Sequence, residues 1–227
     1  MSDSQMSDLA KQVLVRTLGF AVFLGLLIVV TGGPAYWQGW LYWIVFSLCS
    51  LVMALYFLQH DPALVERRLA ASAEKDERQQ LIRTVLSAVL ILLLVVPGID
   101  HRLGWSYVPG FVAVAANVAV ALGFAIIFWT FKANSHASAI IDVAPDQRVV
   151  STGPYAIVRH PMYLGAALLL LATPFALGSV WAIIWAIIAV GTLVWRLLEE
   201  ERYLSQHLRG YDDYRRATPY RLVPYIW

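Results

Sequence analysis

Residues 151–165, STGPYAIVRHPMYLG, are the densest collection of polar and special-backbone residues in the chain. Gly153-Pro154 forces a turn, and Arg159 and His160 bring a cation and an imidazole. Pro161 can open a helix, because its missing N–H would have no partner in a first turn. No charged residue then occurs until Arg196, which is followed by three successive carboxylates, Glu199, Glu200 and Glu201. Guanidinium and imidazole can meet an anion, carboxylates can accept from hydroxyl or ammonium groups, and His or Glu can move a proton. Each residue also has a plainer reading. Arg159 can be a topology charge, Tyr163 an interface anchor, Pro161 a helix start, and Glu200 an ion-pair partner of Arg196 four residues earlier.

The elements that must position these groups follow from charge-free runs. The chain has 227 residues, 59% hydrophobic and 14% charged, where a soluble domain carries about 25% charged residues. No Asp, Glu, Lys or Arg occurs from Thr17 to His60, Thr84 to Ile99, Leu103 to Phe131, or Pro161 to Trp195. A bilayer core takes about 20 apolar residues per helix. The first and last runs each accommodate a helical hairpin and the middle two one span each. The expectation is an all-α polytopic membrane protein with six spans, at 13–31, 40–59, 82–98, 109–131, 162–178 and 180–198. The first is read as a retained span rather than a cleaved signal, since no small-residue cleavage site follows it and Gly32-Gly33-Pro34 turns into the next. Basic residues cluster before span one, between spans two and three, between spans four and five, and after span six, whereas the opposite side holds only Arg102. Both termini and the 151–165 loop are therefore expected in the cytoplasm.

The rest of the chain is read in the same terms. Residues 1–12 are expected to be a weakly ordered lead-in. Tyr36, Trp37, Trp40, Tyr42 and Trp43 suit an interfacial aromatic belt better than a substrate cage. Asp61-Pro62 starts a helix in which Leu64, Val65, Arg68, Leu69 and Ala73 mix apolar and basic positions, either a membrane-surface helix or a solvated connector. Span three is expected to end at Pro97-Gly98, with Asp100, His101 and Arg102 in an outer loop. Asn117 should hydrogen-bond to a neighbouring helix, and Asn134, Ser135, His136 and Ser138 form a polar patch. Cys49 stands alone, so no disulfide or cysteine metal site is expected, and no metal is assigned. GxGxxG, phosphate-loop, HExxH and GxSxG patterns are absent. The basic and aromatic tail suits headgroups or a folded cap rather than nucleic acid.

GPYAIVRHPMYLG at 153–165 resembles the signature of the isoprenylcysteine carboxyl methyltransferase family and its relatives among membrane phospholipid methyltransferases. The second half of that signature is matched by Glu200-Glu201, Leu204, Tyr211, Tyr214 and Arg221-Leu222-Val223-Pro224. The resemblance covers roughly residues 130–227. It implies a division into N-terminal helices, 1–130, and a catalytic core, 131–227, in a membrane of the bacterial inner (plasma) type. It also implies S-adenosylmethionine as cofactor, bound between the loop and the tail. Carried over to this sequence, the cofactor-binding set is Gly153, Pro154, Tyr155, His160, Pro161, Tyr163, Leu164, Gly165, Glu200, Glu201 and Tyr214. The catalytic set is Arg159, His160, Arg196 and Glu200.

The methyl acceptor implied is lipophilic and reaches the site from the bilayer. A carboxylate acceptor is already ionised and needs a positioning cation, Arg159 or Arg196. An amine acceptor must lose a proton, to His160 or a glutamate. Both sets are present, and carboxyl methylation is the favoured reading. A non-enzymatic accessory or sensory membrane protein is the reading from another class.

Overall fold

A computed structural model describes residues 3–70, 77–136 and 148–227, and among these the secondary structure is helical with no strand. Helix α1 spans Asp3–Gly32, α2 Trp37–His60, α3 Pro62–Ala70, α4 Glu77–Leu103 and α5 Gly110–Ala133. A 3-10 turn at Gly153–Ala156 precedes α6, Pro161–Ala176; α7 covers Ile183–His207 and α8 Tyr211–Ala217. Four of the expected spans correspond to α1, α2, α4 and α5, each long and apolar enough to cross a membrane. Their outward faces carry exposed apolar side chains such as Val15, Leu26, Ile44 and Phe111. This is the arrangement of a polytopic membrane protein, since only lipid removes the cost of so much exposed hydrocarbon.

The hairpin expected at 162–198 is asymmetric. Helix α6 has 16 residues, roughly 24 Å at 1.5 Å per residue, whereas α7 has 25 and runs beyond the apolar stretch to His207. Two further expectations change. The lead-in is already helical from Asp3. Helix α4 also passes through Pro97-Gly98 to Leu103. An interior proline removes one N–H and disfavours helix, but membrane-spanning helices tolerate it because neighbouring groups satisfy the freed carbonyl. Gly98 serves close packing instead, because a Cβ there would lie 2.0 Å from Thr31 Oγ1 of α1. Asp100 is consequently on the helix and buried, accepting from Ser106 N–H at 2.8 Å, Ser106 Oγ at 2.6 Å and Ser179 Oγ at 2.5 Å. It ties α4 to the α6–α7 turn at the end of the bundle away from the 151–165 loop.

The aromatic residues near the start of α2 divide. Trp37 is exposed, but Tyr36 and Tyr42 are core residues. Tyr36 stacks on His101 and donates to the Leu177 carbonyl, and the Tyr42 hydroxyl pairs with that of Thr173 at 3.2 Å. Belt and cage readings both fail for these two. Asn117 meets its expectation, with Nδ2 donating to Ala113 O and, across to α6, to Ala176 O. The closest approach of α5 to α6 is at Gly123 and Gly165, where a Cβ on either would lie 2.7 Å from the other's carbonyl oxygen. Ala73 and Ser138 lie outside the described residues.

Candidate functional site

Two backbone hydrogen bonds join the loop before α6 to the C-terminal segment. Arg159 N–H donates to Tyr220 O at 2.9 Å and His160 N–H to Arg221 O at 3.0 Å. The tail curls back so that Trp227 O accepts from the N–H groups of Arg221, Leu222 and Val223. Between α7 and α8, Gly210 adopts φ +84°, a conformation a side chain would strain, and this turn folds α8 against the loop. Tyr214 then donates its hydroxyl to Tyr155 O at 2.8 Å, with Tyr211, Tyr214 and Leu208 buried against Tyr155. The tail is thus a folded cap.

Glu201 lies at the centre of this junction and is 5% exposed. Its Oε1 accepts from Arg159 Nε at 2.7 Å and lies 3.2 Å from His160 Nε2, while its Oε2 accepts from Arg221 Nε at 2.7 Å. Burial alone would raise the Glu201 pKa, but hydrogen bonds from His160, Arg221 and Arg159 outweigh it and hold the carboxyl well below the usual carboxylate range. Arg159 is held at further points, since Nη1 also donates to Thr218 O at 2.9 Å and Pro219 O at 2.8 Å. These two residues clasp loop, α7 and tail together.

Glu200 points elsewhere. It is half-buried, and its Oε2 accepts the Tyr163 hydroxyl at 2.6 Å. Tyr163 in turn packs edge-on to His160 with centroids 5.7 Å apart. Arg196 Nη1 donates to Gln79 Oε1 at 3.2 Å, bringing the start of α4 to the same place. Tyr155 receives a hydrogen bond from Asn134 Nδ2, and its phenol is pushed up to about 12, by burial first, with Asn134 opposing and Glu200's charge adding. His136, an expected patch member, donates its N–H to Asn134 Oδ1.

The residues expected to act together thus separate into groups. His160, Tyr163, Glu200, Glu201, Tyr155 and Tyr214 converge. Pro154 and Pro161 are buried backbone formers of the turn and the first helical position, and Gly153 takes φ +61° to make that turn. Leu164 packs beside Tyr163, Leu197 and Leu222, and Gly165 faces α5. Among the described residues no His, Cys, Asp and Glu group is arranged to hold a metal.

One further residue joins the site. Tyr211 is buried, and its hydroxyl has no hydrogen-bond partner among the described residues. Burial raises its pKa first, and the charges of Glu201 and then Glu200 raise it further. An orphaned hydroxyl within the field of two carboxylates is a donor awaiting an acceptor. The sequence signal was its place in the tail motif, with nothing to separate it from Tyr214.

Residues 111–210 match the phospholipid methyltransferase family. Among curated proteins, a Delta(14)-sterol reductase of Mus musculus is similar, 29% identical over 90 residues that make up 38% of this chain and 22% of the relative. The chain thus aligns with about a fifth of that relative's length. The family match includes the whole of the loop motif, α6, and α7 through the three glutamates.

Proposed function

We propose that the protein is an integral membrane methyltransferase dependent on S-adenosylmethionine, acting on a lipophilic acceptor at the cytoplasmic face, with residues 131–227 as its catalytic core. The observation that carries this reading is a buried Tyr211 hydroxyl with no hydrogen-bond partner among the described residues, together with a half-buried Glu200, beside a clasp that closes loop on tail. The site suits the cofactor's chemistry. Glu200 spends one acceptor position on Tyr163 and a carboxylate has about four, so it can accept from a ribose diol or an ammonium. Tyr211 offers a donor to the cofactor's carboxylate. When bound, that cofactor offers a methyl carbon on a sulfonium, so the acceptor's lone pair forms the new bond as the carbon–sulfur bond breaks and a neutral thioether leaves. The chain's own part is alignment and exclusion of water by the apolar ends of α6 and α7.

A carboxylate acceptor is favoured, because it needs no base and His160 is engaged with Glu201. Arg159 is held by Glu201 and two tail carbonyls, and Arg196, which donates to Gln79 beside Glu200 and Tyr163, is the positioning cation of this reading. Amine methylation is the alternative. The similarity to a sterol reductase supports a second reading, reduction of a sterol-like lipid, for which a reduced nicotinamide dinucleotide serves as the hydride-donor probe. Calorimetry on purified protein decides between them. Micromolar S-adenosylhomocysteine binding, weakened by Glu200→Gln, supports the methyltransferase. Binding of a reduced nicotinamide dinucleotide instead supports the reductase, and binding of neither leaves an accessory protein.

A further inference from the structure

Asn134 stands outside both sequence motifs and closes α5. Its backbone leaves the helix at φ −142° and ψ 97°, while its N–H still donates to Thr130 O at 3.0 Å. The end of α5 lies against the 3-10 turn, since a Cβ on Gly153 would stand 3.4 Å from that of Ala133. The Asn134 side chain thereby reaches Tyr155 in that turn. Two contacts fix which way round the amide sits. Asn134 Oδ1 accepts the backbone N–H of His136 at 2.9 Å, and a backbone nitrogen can only donate. The other amide atom is then Nδ2, which also can only donate, and it meets the Tyr155 hydroxyl oxygen at 3.1 Å. That oxygen must accept, so its own proton points elsewhere.

The Tyr155 proton has no acceptor among the described residues. Its own backbone carbonyl takes the Tyr214 proton at 2.8 Å, and Glu200 Oε2 takes the Tyr163 proton at 2.6 Å. Burial raises the Tyr155 pKa first, and Asn134 opposes the rise, as a donor to the phenol oxygen must. Tyr155 packs against the cluster of Leu208, Tyr211 and Tyr214, where the buried Tyr211 hydroxyl also lacks a partner among the described residues. One packed cluster thus holds two phenol protons with no acceptor among those residues. A lone phenol divides between donating and accepting. The Asn134 amide removes that choice before any ligand arrives, which is preorganisation.

We propose that Asn134 is a positioning residue that commits Tyr155 to donate, so that Tyr155 and Tyr211 together receive the carboxylate of the bound cofactor. The identity of that ligand rests on the methyltransferase reading; the hydrogen-bond polarity does not. The test uses the whole chain in neutral detergent micelles, titrated calorimetrically with S-adenosylhomocysteine. In parallel, an isotopic label at tyrosine Cζ reports the Tyr155 resonance, identified by its loss in Tyr155→Phe. Asn134→Asp keeps the shape and the His136 contact but replaces the donor with an acceptor, which draws the Tyr155 proton to itself. It is expected to weaken S-adenosylhomocysteine about fivefold, as Tyr155→Phe does, the equivalent of one hydrogen bond. Asn134→Ala leaves the proton free and is expected to cost only about twofold, the loss of a preset orientation. In the Tyr155→Phe background Asn134→Asp is expected to add nothing. Decarboxylated S-adenosylhomocysteine is expected to bind wild type and Asn134→Asp alike. A larger loss from Asn134→Ala than from Asn134→Asp marks a merely structural residue and overturns the proposal. So does an undiminished effect of Asn134→Asp in the Tyr155→Phe background or on the decarboxylated ligand. Should Asn134→Asp lose its monodisperse form, the wild-type Tyr155 resonance decides. It is expected to move toward the phenolate side when S-adenosylhomocysteine binds, and a stationary resonance overturns the proposal. Absence of S-adenosylhomocysteine binding by wild type refutes the methyltransferase reading alone. The ligand-free resonance then tests the polarity, with a phenolate-side shift expected in Asn134→Asp and an unchanged resonance overturning it.

Discussion

Arg159 Nε donates to Glu201 Oε1 at 2.7 Å, and both side chains are more than nine-tenths buried. Forty-two positions separate them, so the contact closes the loop before α6 onto the far end of α7. His160 and Arg221 share the same carboxylate. Two consecutive glutamates therefore have different work, Glu201 holding the architecture and Glu200 facing Tyr163.

Glu201→Ala leaves Arg159 buried beside an empty position, and breaking a buried pair from one side costs about 3–5 kcal/mol. Its melting temperature is expected to fall sharply, with the tail newly open to protease. Glu200→Gln is expected to melt within a few degrees of wild type and to lose S-adenosylhomocysteine binding instead. Equal melting of the two variants would contradict this division.

The depressed Glu201 carboxyl makes part of the stability pH-dependent. Its folded pKa lies below the ordinary value of 4.5, so the contribution is fully present above that pH and is lost as pH falls through the folded value. Thermal melts from pH 8 to 3 should stay level to about pH 5 and decline below it. Glu201→Gln, lower throughout, should show a weaker acid decline.

Tyr211→Phe removes a buried hydroxyl that has no partner among the described residues. Stability without ligand is expected to be unchanged or slightly higher, because an unsatisfied polar group disappears. S-adenosylhomocysteine affinity is expected to fall about fivefold, the equivalent of one hydrogen bond of roughly 1 kcal/mol. Opposite signs in the two measurements distinguish a ligand contact from a packing residue.

Gly123→Ala and Gly165→Ala each place a methyl 2.7 Å from a facing carbonyl oxygen, where backbone must move. A loss of about 1–3 kcal/mol is expected for either in detergent or bicelle unfolding. Gly191→Ala, with nothing within 4 Å of its Cβ, serves as the comparison and should be neutral or slightly stabilising.

Asp100→Asn tests the opposite end of the bundle. Its carboxylate accepts from Ser106 and Ser179, and an amide nitrogen facing a donor would leave a buried group unsatisfied, at about 1–3 kcal/mol. Melting should drop while S-adenosylhomocysteine affinity holds, since the residue is remote from the clasp.

Four charge-free runs determined that this chain is a helical membrane protein, because lipid tolerates apolar stretches of that length and little else. The paired motifs around 153–165 and 200–224 likewise announced that loop and tail belong together. The sequence could not assign the roles within them. Neighbouring helical residues point about 100° apart, and which one faces inward depends on how Leu197 and Glu201, one turn apart on the buried stripe of α7, seat against the rest. The same holds for Gly165, whose motif position suggested a ligand contact and whose lack of a side chain admits α5. Pro97-Gly98 resembled a helix end because local propensity opposes continuation, whereas burial of Asp100 and the approach of α1 override it.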